Sequence, residues 1–131
     1  MKRDLDSIIL TRQELQIMKV VWEMGAATVK EVCDAMSHIK AVAYTTILTL
    51  MGILEEKGAL AHTRSGRAFL YTPLLSRQQA TRNQVRDVVT RFFDGSPEKL
   101  IEDILENEIL DPGQIGTVRS LLESRQENLV A

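Results

Sequence analysis

Thr45, Thr46 and Thr49 share one short stretch, and Arg64 and Arg67 bracket a Ser65-Gly66 pair a little further on. Threonine hydroxyls hydrogen-bond phosphates or base edges, and their methyls pack on the C5-methyl of thymine. Guanidinium groups suit phosphate contact or insertion into a minor groove. This is the chemistry of recognition rather than of bond making. A plainer account exists for each group: a solvated helix face, and a hairpin tip made soluble by charge. Exposed helical positions ordinarily favour Lys, Glu and Gln, however, so three threonines together fit a contacting surface better than filler. Lys40 and Tyr44, at the entry to the same stretch, extend the set. Backbone N–H groups in the first helical turns after Thr11 and Thr28 offer further places for phosphates, although a capping threonine by itself is usually only structural.

No arrangement for catalysis accompanies them. His38 and His62 are isolated, without Cys, Asp or Glu at the spacing that metal ligation or nucleophilic chemistry requires. Cys33 is the single cysteine, which excludes an internal disulfide and any multi-cysteine metal site; its surroundings read as a small apolar position on a helix. There is no glycine-rich phosphate loop and no serine nucleophile elbow. The sequence therefore predicts a binding protein without cofactor or metal, and not an enzyme.

The elements that must position these residues are legible from their punctuation. Thr11 with Glu14 makes a capping box, and Leu15, Met18, Val21 and Trp22 continue as a helical stripe up to Gly25. Thr28 with Glu31 opens a second, shorter helix whose inward set is Val29, Val32, Cys33 and Met36. A third helix runs from about Tyr44 to Lys57, with Ile47, Leu50, Met51 and Leu54 on its buried side and Gly58 as the residue that ends it. The outward side is then Thr45, Thr46, Thr49, Gly52 and Ile53. Two short β-type runs, Leu60 to Arg64 and Arg67 to Thr72, are joined by Ser65-Gly66 as a two-residue turn, and Pro73 ends the second. Helix, strand, basic turn, strand is the order of a winged helix-turn-helix, which lays one helix in a DNA groove and reaches over the adjacent backbone with the wing.

The remainder is helical. Ser76 with Gln79 caps a long helix with Val85, Val88, Val89, Phe92 and Phe93 inward, closed by Asp94-Gly95. Ser96-Pro97 starts another, carrying Leu100, Ile101, Ile104 and Leu105, and Asp111-Pro112 starts the last, carrying Ile115, Val118, Leu121 and Leu122. Three helices of that length make too small a unit to hide their own apolar surface, and a second copy of the chain is the simplest partner. The fold class expected is mainly α with a small β-hairpin: an N-terminal winged helix-turn-helix domain over residues 1–75 and a C-terminal three-helix dimerisation region over residues 76–131. Val88, Val89, Phe92, Leu100, Ile104, Ile115, Val118 and Leu122 are its candidate dimer contacts.

Composition agrees with this and adds little. With 131 residues, 44% hydrophobic and 26% charged, the chain has an ordinary globular mixture. The net charge of −2 does not announce a nucleic-acid binder. The split is mild, a net of +1 over residues 1–75 and −3 over residues 76–131. No apolar run reaches membrane-spanning length and the N-terminus lacks the apolar core of a signal peptide, so a soluble cytoplasmic protein is expected.

At this point a family likeness becomes specific. L-T-R-Q-E-L-Q-I-M-K-V-V-W-E at residues 10–23, A-T-V-K-E-V at 27–32, A-Y-T-T-I-L-T-L at 43–50, L-E-E-K-G at 54–58 and G-R-A-F-L-Y-T-P at 66–73 resemble the penicillinase-repressor family, the BlaI/MecI/CopY type. F-F-D-G-S-P-E-K-L-I at 92–101 and the last helix resemble its dimerisation region. Each block alone is weak; the ordered set covers nearly the whole chain. The resemblance implies a homodimeric repressor in which each protomer reads one half of an inverted-repeat operator in double-stranded DNA. Thr45, Thr46 and Thr49 would face the major groove, and Arg64 and Arg67 would lie against backbone. There are departures. Ile53 stands where the family often has a basic residue. The paired Cys-x-Cys ligands of the copper-responsive branch are missing. In the β-lactam branch a sensor-linked protease cuts an Asn-Phe bond after the Asp-Gly or Gly-Gly turn; the aligned bond here is Asp103-Ile104. Two other readings stand beside the repressor: a winged-helix module that binds protein, and a ligand-sensing regulator of another winged-helix class.

Overall fold

The structure is a computed structural model that describes residues 4–107 and 109–130. The chain divides into two compact units, Met1–Asp87 and Val88–Ala131. The first holds α1 (Arg12–Met24), α2 (Val29–Met36), α3 (Tyr44–Lys57), β1 (Leu60–Ser65) and β2 (Ala68–Pro73). α4 (Arg77–Phe92) begins in the first unit and runs into the second, which continues with α5 (Pro97–Glu106) and α6 (Pro112–Val130).

Both N-terminal helices start at the expected capping boxes. Thr11 Oγ1 accepts the Glu14 N–H while the Glu14 carboxylate accepts the Thr11 N–H, and Thr28 and Glu31 repeat the exchange. Each box supplies acceptors for N–H groups that a helix start leaves without partners. α3 differs: its N-cap is Ala43, with no side-chain hydrogen bond, so its first turn stays open to solvent. Gly58 ends it with φ +90, a left-handed conformation that a β-carbon would strain.

The core of the first unit lies between the three helices and the hairpin. Ile17, Met18 and Val21 of α1, Val32 and Met36 of α2, Ile47, Met51 and Leu54 of α3, and Leu60, Tyr71 and Leu75 are all buried. Leu50 and Cys33, expected inside, are only partly covered, and the Cys33 thiol lies 3.5 Å from the Val42 carbonyl. Trp22 is half-buried and donates its indole N–H to the Leu75 carbonyl at 2.8 Å. β1 and β2 pair antiparallel, Leu60 with Pro73 through Ser65 with Ala68. The turn is therefore Gly66-Arg67, one residue later than Ser65-Gly66. Gly66 has φ +63 and Arg67 does not share the positive φ, the pattern that places glycine first in a II′ turn. A bridge between Ala27 and Tyr71, with N–H···O distances of 2.9 and 3.0 Å, ties the hairpin to the entry of α2.

Two polar contacts give the unit its specific closure. Glu14 is 2% exposed and accepts from Lys57 Nζ at 2.7 Å, and the same ammonium donates to the Ile9 carbonyl at 3.2 Å. Burial alone would raise the Glu14 pKa; the hydrogen bonds from Lys57 and Thr11 and the Lys57 charge outweigh it and hold it below the ordinary carboxylate value. Asn83 of α4 is 3% exposed and donates to the carbonyls of Leu5 and Ile8 at 2.8 and 3.0 Å, so residues 4–8 fold back and Ile8 joins the core.

In the second unit, Ser96 and Asp111 cap α5 and α6 as expected, with Pro97 and Pro112 in the first turns. Asp94 and Gly95, both at positive φ, turn the chain after α4. No described residue from 88 to 129 is buried. Phe92 is 70% exposed and Leu122 57%, with Ile101, Leu105, Ile115 and Leu121 also exposed. Val88, Val89, Leu100, Ile104 and Val118 are half-covered. No helix among the described residues is long and apolar enough to cross a membrane.

Candidate nucleic-acid interface

At 3.6 residues per turn, the buried Ile47, Met51 and Leu54 fix which way α3 faces. Thr45, Thr49 and Gly52 lie opposite them on an exposed ridge, with Ile53 and Thr46 at its edge. The ridge carries no charge. Thr49 Oγ1 donates to the Thr45 carbonyl at 2.9 Å, so this hydroxyl offers an acceptor and a methyl outward rather than its proton.

A hollow opens on each flank of the ridge, and both are lined by cations. The first, about 520 Å3, lies between the start of α1 and the loop into α3. It brings together Lys40 and Thr46, both expected, with Arg12, Gln13 and Gln16, which were not. The second, about 400 Å3, lies between the start of α2, α3 and the wing turn. It unites Thr28, Tyr44 and Arg67, all expected, with Lys30, Leu48 and Phe69. Neither hollow is lined by an acidic side chain.

The other candidates sit apart. Thr11 lines neither hollow, and its hydroxyl serves the α1 cap. Arg64, Ser65 and Gly66 are exposed on the wing. The Arg64 guanidinium lies 5.8 Å from the Phe69 ring centroid, within reach of a cation–π contact. His62 is taken up at the wing base, where Nδ1 bonds the Glu55 carboxylate and the ring packs 4.4 Å from Phe69 and 5.5 Å from Tyr71. His38 is exposed in the turn after α2. Among the described residues no group of three His, Cys, Asp or Glu could hold a metal ion. The Asp103-Ile104 bond lies inside α5, where the Asp103 carbonyl accepts from the Asn107 backbone and side chain at 3.1 and 2.8 Å.

Arg12 and Lys30 carry a local signal in the sequence. Each falls in the first turn of a capped helix, where the helix dipole disfavours positive charge by about 0.3–1 kcal/mol.

The model of the family described as penicillinase repressor matches residues 10–124. The chain belongs to the penicillinase repressor family. This family member is 30% identical over 113 residues to the penicillinase repressor of Bacillus licheniformis, covering 86% of this chain and 88% of that protein. It is 27% identical over 95 residues to the transcriptional regulator BlaI of Mycobacterium tuberculosis, covering 71% and 69%. In structure it is similar to the DNA-binding domain of the repressor BlaI, solved in solution, with a TM-score of 0.51 and 32% identity over 59% of this chain and 92% of that one. The fold is that of a winged helix, and the family is one of transcriptional repressors rather than enzymes.

Proposed function

We propose that the chain is a cytoplasmic transcriptional repressor that binds double-stranded DNA sequence-specifically, as a homodimer on an inverted-repeat operator. Residues 1–75 would supply the reading head and residues 76–131 the dimer contacts. The observation that carries the reading is the uncharged α3 ridge set between two cation-lined, acid-free hollows. A helix in the major groove has a phosphate backbone on each side of it, and the arrangement of charge on this face repeats that pattern. Thr45, Thr46 and Thr49 would meet bases and sugar-phosphate edges. Arg12 and Lys40 would hold one backbone, Lys30 and Arg67 the other, with Arg64 reaching past the wing.

The test is a fluorescence-anisotropy titration of duplexes from the DNA upstream of the protein's own gene, repeated across salt concentrations. Arg67→Ala should weaken binding to every sequence and lower the slope of log affinity against log salt by about 0.9, the release of counterions from one phosphate. Thr46→Ala should instead change the ranking of operator variants by about 1–3 kcal/mol at the base pair it faces. If both variants bind like the wild type, the interface is assigned to the wrong residues. Duplex binding that ignores salt altogether would favour the protein-interaction module.

A further inference from the structure

We infer that the first unit has a second binding site, for a small amphiphilic carboxylate, in the groove between α1 and α4. The groove encloses about 320 Å3, within the range of small-molecule sites. None of its lining residues belongs to α3 or to the wing, so the inference does not rest on the DNA reading. Its walls are apolar: Leu10, Leu15, Trp22 and Val85. The indole N–H of Trp22 is committed to the Leu75 carbonyl, which leaves the ring as apolar lining. Helical spacing placed Val85 inward; it is 49% exposed and faces this groove.

The charge at the groove selects the ligand. Lys19 and Arg77 both line it, no acidic side chain does, and neither cation has an ion pair among the described residues. Two cations beside an apolar slot match a molecule with one anionic head and a short hydrocarbon or aromatic body. Arg77 suits a carboxylate in particular, because its planar N–H groups donate to both oxygens at once.

Trp22 is the only tryptophan in the chain, so its emission reports on the groove directly. Octanoate and its neutral counterpart octanamide are titrated into the full-length protein, below the concentration at which octanoate self-associates. Octanoate should shift the emission saturably, and octanamide should bind roughly ten- to a hundredfold more weakly for want of the charge-assisted contact. The double variant Lys19→Glu, Arg77→Glu should lose octanoate binding by at least about tenfold while its circular dichroism stays unchanged, since both positions are exposed. No emission change, equal binding of acid and amide, or unaltered octanoate binding by the folded double variant would overturn the site. Should the double variant fail to fold, the wild-type ratio of acid to amide decides the matter alone.

Discussion

Leu122→Glu should turn the protein into a monomer at micromolar concentration and lower its operator affinity by roughly 10²- to 10⁴-fold, the advantage that linking two half-site contacts supplies. Leu122 is 57% exposed on α6, in a unit where no described residue is buried and Phe92, Ile101, Leu105, Ile115 and Leu121 are exposed as well. So much apolar surface on so few residues demands cover. In the proposed dimer a second copy provides it. A carboxylate at position 122 would be buried without a partner in both copies, at a cost of several kcal/mol each. Sedimentation equilibrium reads the oligomeric state, and a gel shift reads the affinity. The DNA offers a matching arm. Inserting about 5 bp between half-sites rotates one of them half a turn around the duplex, and wild-type affinity should fall to that of the Leu122→Glu variant. A wild-type protein that sediments as a monomer, or that binds the spaced operator undiminished, would refute the dimeric reading.

Lys57→Met should cost about 3 kcal/mol of stability near neutral pH, the scale of removing one partner from a buried ion pair. Methionine keeps most of the aliphatic stem, so the loss comes from Glu14, 2% exposed in the wild type and left without its countercharge, and from the Ile9 carbonyl, left without its donor. The pH dependence has a definite sign. In the wild type the Glu14 pKa is lowered by folding, so its contribution is present above the unfolded carboxylate value and is lost as pH falls through the lower, folded one. In the variant the Lys57 hydrogen bond and charge no longer oppose burial, so the carboxyl takes up a proton more readily in the folded state. The gap between the two proteins should therefore narrow as pH drops from about 7 toward about 4.5. Urea denaturation at both pH values measures it. A gap that is constant with pH would mean that Lys57 acts through packing and the Ile9 carbonyl rather than through the Glu14 charge.

The helix boundaries are legible in the sequence because they are written in local chemistry. Capping boxes at Thr11 and Thr28, Gly58 after α3 and the Ser96-Pro97 and Asp111-Pro112 starts act within four residues of chain. The turn falls one residue later than the sequence predicts because Ser65-Gly66 and Gly66-Arg67 both put glycine at a positive-φ position, and cross-strand pairing of Ser65 with Ala68 decides between them. The buried side of α3 followed from periodicity, and with it the outward placement of Thr45 and Thr49.

What lay outside reach has one physical cause: it depends on residues far apart in sequence. The Glu14–Lys57 pair joins two helices, Asn83 holds the carbonyls of Leu5 and Ile8, and Trp22 bonds Leu75. No spacing rule predicts such contacts, because they are set by how elements pack rather than by how each one winds. The same holds for the candidate interface. Sequence by itself determined the element order, the caps, the threonine ridge and the arginines of the wing, since these follow from local backbone preference and helical period. Only the tertiary structure decided that Arg12 joins Lys40 on one side of that ridge while Lys30 joins Arg67 on the other, because the packing of α1, α2 and the hairpin around α3 is what brings those charges into two hollows.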